Sequence, residues 1–212
     1  MGPSPTARAT RLDNVSARDA AALAALLEAV PTPPPFDMAL APADPMAQVA
    51  RDAGFEPYAR TVTFTRAIEG FDEGAPADGV RLLTYDNAMA DRYDDAEFDA
   101  LDGLAIYRAM GRPTGYAQGA GYGDFTVALR GDAIIGFCFT QVPEGIVWWL
   151  GVVPAERRKG VARMLIASAM RATRTAGGTH MLAEVEDTPD ARAFLAALGF
   201  RERGTRELLI RR

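Results

Sequence analysis

The chain is poor in the residues that most often carry chemistry. Its 212 residues include one cysteine, Cys138, so an internal disulfide and a cysteine metal cluster are both excluded. His180 is the only histidine, which removes a histidine-rich metal site and a second histidine base. Lys159 is the only lysine among 23 basic residues, the rest being arginine. With abundant alanine, glycine and proline, this is the composition expected of a GC-rich bacterial source. No apolar run reaches the roughly 20 residues that span a bilayer, and MGPSPTARATR at the start lacks the apolar segment of a secretory signal. A cytoplasmic protein is the default expectation.

Net charge is −5, which argues against nucleic acid or an anionic membrane as the main partner. The hydrophobic fraction of 49% is ample for a folded core, and the length suits one domain or a domain with a smaller companion.

The most informative stretch runs from Trp148 to Arg174, WWLGVVPAERRKGVARMLIASAMRATR. It predicts an apolar strand, a proline, a basic turn ending in glycine, and a helix with Val161, Met164, Leu165, Ser168, Ala169 and Ala172 at helical spacing. The first backbone N–H groups of a helix lack internal partners, and the helix dipole favours an anion there. Gly160 permits close backbone approach, and Arg157, Arg158 and Lys159 add positive charge. A pyrophosphate is the ligand such a turn suits.

Along the chain, helices are predicted at Asp19 to Val30 and Met46 to Ala53, with residues 31–45 too proline-rich for helix or central strand. A strand follows at Tyr58 to Ile68, then an acidic, glycine-rich linker at residues 71–79. From Val80 the order reads strand, one or two helices over Ala88 to Met110 with Phe98, Leu101, Leu104 and Ala105 on one side, then a flexible glycine loop. Strands at Asp124–Arg130, Ala133–Gln141 and Ile146–Val153 come next. The Gly160–Ala176 helix, a strand at Thr179–Glu186, a helix at Pro189–Leu198 and a final strand complete the order. The strand–helix–strand passage implies a parallel pair, and the hairpins before it imply antiparallel strands. The expectation is an α/β fold with a mixed sheet and helices on both faces.

This arrangement resembles the GCN5-related N-acetyltransferase (GNAT) superfamily over residues 80–212. The specific elements are Leu150-x-Val152-x-Pro154-x-x-Arg157-x-x-Gly160-x-Ala162 and, later, Leu198-Gly199-Phe200. The resemblance implies that acetyl-CoA binds beside the strand ending at Val153 as co-substrate, without a metal. Val152 and Val153 would pair with its pantetheine arm, and the turn through Val161 and Ala162 would hold its pyrophosphate. It also implies acetyl transfer to an amine. Two departures stand out. Thr188 or Pro189 falls where many members carry asparagine, and Leu195 stands where they carry the tyrosine that protonates the leaving thiolate. Residues 1–70 resemble a cut-down relative of the same domain, with a helical lid or dimerisation segment as the other reading; a homodimer is open on that ground.

Glu184 and Glu186 share one face of a predicted strand and are the candidate bases for the amine proton, against the alternative of a solvated strand end. Glu144 is a weaker candidate. Trp148 and Trp149, being adjacent, are expected on opposite faces, one in the core and one walling the acceptor pocket. Tyr116 and Tyr122 lie in the glycine loop, where they could close over an acceptor. Cys138 reads as a core thiol and His180 as structural. The run Asp91, Asp94, Asp95, Glu97, Asp99 and Asp102 reads first as a solvated helix face, although a cationic acceptor would suit it. The leading expectation is acetyl-CoA-dependent N-acetylation of a small primary amine. The alternatives are a non-catalytic acyl-CoA-binding or regulatory module, and acetylation of a protein or peptide.

Overall fold

A computed structural model describes residues 10–11, 20–29, 36–40, 44–110 and 123–211. These residues form one mixed nine-stranded sheet flanked by helices, the α/β architecture expected from the sequence. The strands are β1 (Thr10–Arg11), β2 (Phe36–Leu40), β3 (Glu56–Ala67), β4 (Val80–Thr84), β5 (Gly123–Arg130), β6 (Ala133–Gln141), β7 (Ile146–Val152), β8 (His180–Glu186) and β9 (Arg201–Arg211). The helices are α1 (Ala20–Ala29), α2 (Pro45–Asp52), α3 (Ala90–Leu101), α4 (Ala105–Met110), α5 (Val161–Thr175) and α6 (Pro189–Ala197). Their order across the sheet is β1-β2-β9-β3-β8-β7-β6-β5-β4. No described helix is long and apolar enough to cross a membrane.

The two faces of the sheet carry separate cores. On one, Val161, Leu165, Ile166, Ala169 and Met170 of α5, Leu195 of α6 and Leu198 just past it pack on Val62, Phe64, Cys138, Val147, Met181 and Ala183. On the other, Tyr93, Ala96, Ala100 and Leu101 of α3 and Tyr107 of α4 cover Phe125, Val127, Leu129, Ile134 and Phe137, with Trp149 beside them. Strand alternation produces this division: Met181 and Ala183 of β8 face α5, so Leu182, Glu184 and Glu186 face α3 and α4.

β3 is hydrogen-bonded on both edges, antiparallel to β8 on one side and to β9 on the other. The segment Thr61-Val-Thr-Phe-Thr65 alternates, so Val62 and Phe64 enter the α5 core while the threonines face the other way. β9 in turn pairs with β2 along its other edge, over residues 207–211.

Three expectations change. Phe36–Leu40 forms a strand, because it follows the prolines of PTPPP and contains none itself. On α3, Phe98 is 41% exposed while Glu97 is 2% exposed. The helix turns Tyr93, Ala96, Glu97, Ala100 and Leu101 inward, so Glu97 leaves the solvated acidic run.

The third concerns the tryptophans. On β6 the register steps from Phe139↔Trp149 to Thr140↔Val147, which makes Trp148 the extra residue of a β-bulge. The bulge cancels the alternation. Trp149 lies in the α3-side cluster. Trp148, 54% exposed, donates its indole N–H to Gln141, which shares the face of Phe139.

Candidate functional site

β7 and β8 are parallel but pair only at Ile146↔Leu182 and Val147↔Ala183, with Leu182 N donating to Gly145 O at 2.9 Å. Beyond Val147 no rung joins them among the described residues, so the strands diverge and β7 presents an unpaired backbone edge. On its other edge β7 stays paired to β6 as far as Val152, and Val153 N donates to Ile135 O at 3.0 Å. Gly151 is required within this strand, because a Cβ there would lie 2.3 Å from the Phe137 ring.

The opening leads to the basic turn. Pro154–Glu156 forms a single 3-10 turn, Arg158 has φ 64° and Gly160 has φ 85°. Gly160 is the N-cap of α5 and has no side chain to satisfy the helix N–H groups, and Met164 N is the first to be accepted, by Gly160 O. The amides of Val161, Ala162 and Arg163 therefore point from the helix start, where the dipole concentrates positive potential. By contrast, α2 and α6 are capped by the side chains of Asp44 and Thr188.

The three cations of the turn are not equivalent. The Arg157 guanidinium donates to Val152 O at 3.1 Å and to Ala100 O at 3.0 Å, tying the turn to the end of α3. Lys159 pairs with Glu156 at 3.3 Å, and Glu156 also binds Arg130 at 3.0 Å. Burial pushes the Glu156 carboxyl up, but the hydrogen bonds from Arg130 and Lys159 outweigh it and hold the group below its ordinary range. Arg158 is exposed and is the one cation of the three whose side chain has neither a hydrogen bond nor an ion pair among the described residues. Arg163, one turn on, is clipped to Asp72 at 3.0 Å, and Ala77 N rests on Met164 Sδ at 2.9 Å. The linker thus lies along the first turns of α5.

Glu184 and Glu186 lie on β8 just past the point of divergence, on the α3/α4 face. Glu184 Oε1 accepts from Thr61 Oγ1 at 2.6 Å, and Arg206 reaches Oε2 at 3.5 Å. Glu186 Oε2 accepts from the backbone N–H of Ile106 at 3.1 Å. The next residue of α4, Tyr107, lies with its ring 6.3 Å from that of Trp149. α4 therefore bridges the gap between β8 and β7. Behind Trp149, Glu97 Oε1 accepts from the Trp149 indole and from Tyr93 Oη at 2.8 Å. Burial first, and then the charge of Glu97, push the Tyr93 phenol well above its ordinary range.

Other residues have plainer placements. Burial pushes the Cys138 thiol up to about 12. His180 is exposed and shares a hydrogen bond with Thr179 Oγ1 at 2.9 Å. Glu144 sits in an exposed turn. Leu195 is buried in the α5/α6 core and offers no proton. Tyr116 and Tyr122 lie outside the described residues. A cleft of about 710 Å³ between α3 and the Pro154 turn is lined by Asp95, Asp99, Ile134 and Val153, and it includes neither β8 carboxylate. Among the described residues, no group of three or more His, Cys, Asp or Glu is arranged to hold a metal. Thr61 and Tyr107, and the bond between Glu97 and Trp149, did not emerge from the sequence. The alternating threonines of TVTFT, and Tyr93, Glu97 and Leu101 at spacings of four, are the signals that could have marked them.

A parallel strand pair that splays beside an uncapped helix N-terminus is the arrangement that the resemblance requires. The family model described as "Acetyltransferase (GNAT) family" matches residues 84–200, more than half of the chain, and the chain belongs to this family. Solved structures agree in fold. A GCN5-related N-acetyltransferase from Sphaerobacter thermophilus has a TM-score of 0.65 at 15% identity over 84% of this chain and 59% of that one. A tandem GNAT protein from the clavulanic acid biosynthesis pathway has a TM-score of 0.61 at 16% identity over 91% and 67%. A putative acetyltransferase from Novosphingobium aromaticivorans has a TM-score of 0.59 at 15% identity over 90% and 79%. This chain thus spans about 59% of the Sphaerobacter protein's length. No curated protein matches its sequence.

Proposed function

We propose that this chain transfers the acetyl group of acetyl-CoA to a small primary amine. The observation that carries the reading is the divergence of β7 from β8 after Val147/Ala183, beside a helix whose first amides have no side-chain cap. The pantetheine arm lies along the edge of β7 that β8 leaves open, towards Val152 and Val153, where Arg157 already holds Val152 O and Ile135 O already accepts Val153 N. The pyrophosphate rests on the amides from Arg158 to Ala162, with Arg158 as its mobile cation. Arg157 and Lys159 act through the shape of the turn, since both are already engaged.

The acceptor enters from the α3/α4 face, between Trp149, Tyr107 and the β8 carboxylates. Glu184, the first β8 side chain past the divergence on that face, takes a proton from the acceptor ammonium through water. The free amine attacks the thioester carbonyl, the C–S bond breaks, and the nitrogen's remaining extra proton passes to water as the amide and CoA thiolate form. With Leu195 on α6, water supplies the thiolate's proton. Glu186 keeps α4 in place as the lid of this opening.

The test is release of free CoA from acetyl-CoA in the presence of n-butylamine, cadaverine, phenethylamine or lysine methyl ester. Turnover with at least one is expected, and Glu184→Gln should lower kcat by about 10²- to 10⁴-fold. Saturable acetyl-CoA binding without turnover on any of the four would sink the amine-acetylation reading.

A further inference from the structure

The residue that touches Glu184 most closely belongs to neither the family-matched segment, 84–200, nor the strand that carries Glu184. It is Thr61, on β3. Thr61 is 4% exposed, so its hydroxyl must find a partner inside the protein. It donates to Glu184 Oε1 at 2.6 Å, diagonally across the β3/β8 ladder in which Thr61 faces Glu186 and Thr63 faces Glu184. At 2.6 Å it is a short hydroxyl–carboxylate hydrogen bond. Thr61 is itself well fixed. Its branched Cβ restricts χ1, Val62 beside it is wholly buried, and Arg60 O accepts from Asp187 N at 2.8 Å to close the end of the ladder. The other contact of Glu184, Arg206 at 3.5 Å, comes from an exposed and flexible side chain.

We infer that Thr61 is a positioning residue for acetyl transfer: strand β3, from the N-terminal part of the chain, aims the carboxylate of Glu184 at the acceptor. This rests on the reading of Glu184 as the base. A long glutamate at the mouth of an open gap has many rotamers. One short bond from a rigid, buried donor selects among them, and the second oxygen keeps only the longer contact to Arg206 at 3.5 Å. The N-terminal part of the chain then belongs to the catalytic machinery.

The experiment compares full-length wild type, Thr61→Val and Thr61→Ser in the CoA-release assay, using the amine that wild type turns over fastest from the panel of four. Valine keeps the branching and removes the donor, and serine restores the donor. Thr61→Val is expected to lower kcat roughly tenfold while KM for acetyl-CoA stays within about twofold, and Thr61→Ser is expected to recover most of kcat. Wild-type kcat in Thr61→Val overturns the inference. So does a joint loss in both variants accompanied by a raised KM for acetyl-CoA, which marks a general distortion. A wild-type chain inactive on the whole panel overturns the underlying reading as well, and that failure is visible before either variant is assayed.

Discussion

Gly160 carries more of the proposed cofactor site than any of its charged neighbours. Its φ of 85° lies in the left-handed region, and a Cβ there would meet only Ala77, at 3.8 Å. Gly160→Asp therefore costs roughly 1–2 kcal/mol of backbone strain and places an anion where the pyrophosphate belongs. Acetyl-CoA affinity should fall at least ~100-fold by calorimetry, about 2.7 kcal/mol, while the circular dichroism spectrum is kept. Cys138 gives a second residue-scale prediction. With its thiol at about 12 and 1% exposed, it should not react with a disulfide reagent at pH 8 until the chain is unfolded. Both residues were readable in the sequence, because a glycine before a helix and a cysteine inside an apolar strand have local signatures. Glu97 was not. Its burial depends on Tyr93, one turn away, and on Trp149, fifty-two positions on, and a charge run shows neither.

Among the elements, α4 is the one whose position rests on a single carboxylate. Glu186 holds Ile106 N, and the same helix lays Tyr107 against Trp149. Glutamine can still accept that N–H, and alanine cannot. Glu186→Gln should keep KM for the acceptor, whereas Glu186→Ala should raise it several-fold, as steady-state kinetics would show; equal effects of both would contradict the tether. The connections that lead into α5 and α6 carry a pH dependence of their own. The Glu156 carboxyl lies below its ordinary range through Arg130 and Lys159, and that of Asp187 lies low through its hydrogen bond from Arg192. A depressed carboxylate stabilises the fold above its unfolded pKa, near 4, and loses that contribution as pH falls through the folded value. The melting temperature should therefore drop as pH goes from about 5 towards 3, and less so in Glu156→Gln. The order of helices and strands from Val80 onward was legible because periodicity and turn residues are local. The bulge at Trp148 was not, since it exists only as a register step against β6.

At the scale of the whole molecule, the fact that matters is that β3 lies between β8 and β9. A chain lacking residues 1–70 loses Val62 and Phe64 from the main core, roughly 1.5–3 kcal/mol for each. It also bares two strand edges that invite aggregation. It should show no cooperative thermal transition, whereas the full chain should. The strand itself was visible in TVTFT, but its place was not, because pairing between segments more than a hundred residues apart leaves no local trace. The family membership followed from the turn and the Leu-Gly-Phe element, both local features. The most direct test of the cofactor site is a calorimetric titration of the 212-residue protein with acetyl-CoA beside free CoA. Saturable binding by wild type, lost in Gly160→Asp, is the predicted result. No heat of binding at millimolar acetyl-CoA would contradict the claim that the β7/β8 opening and the Gly160 turn form a cofactor site.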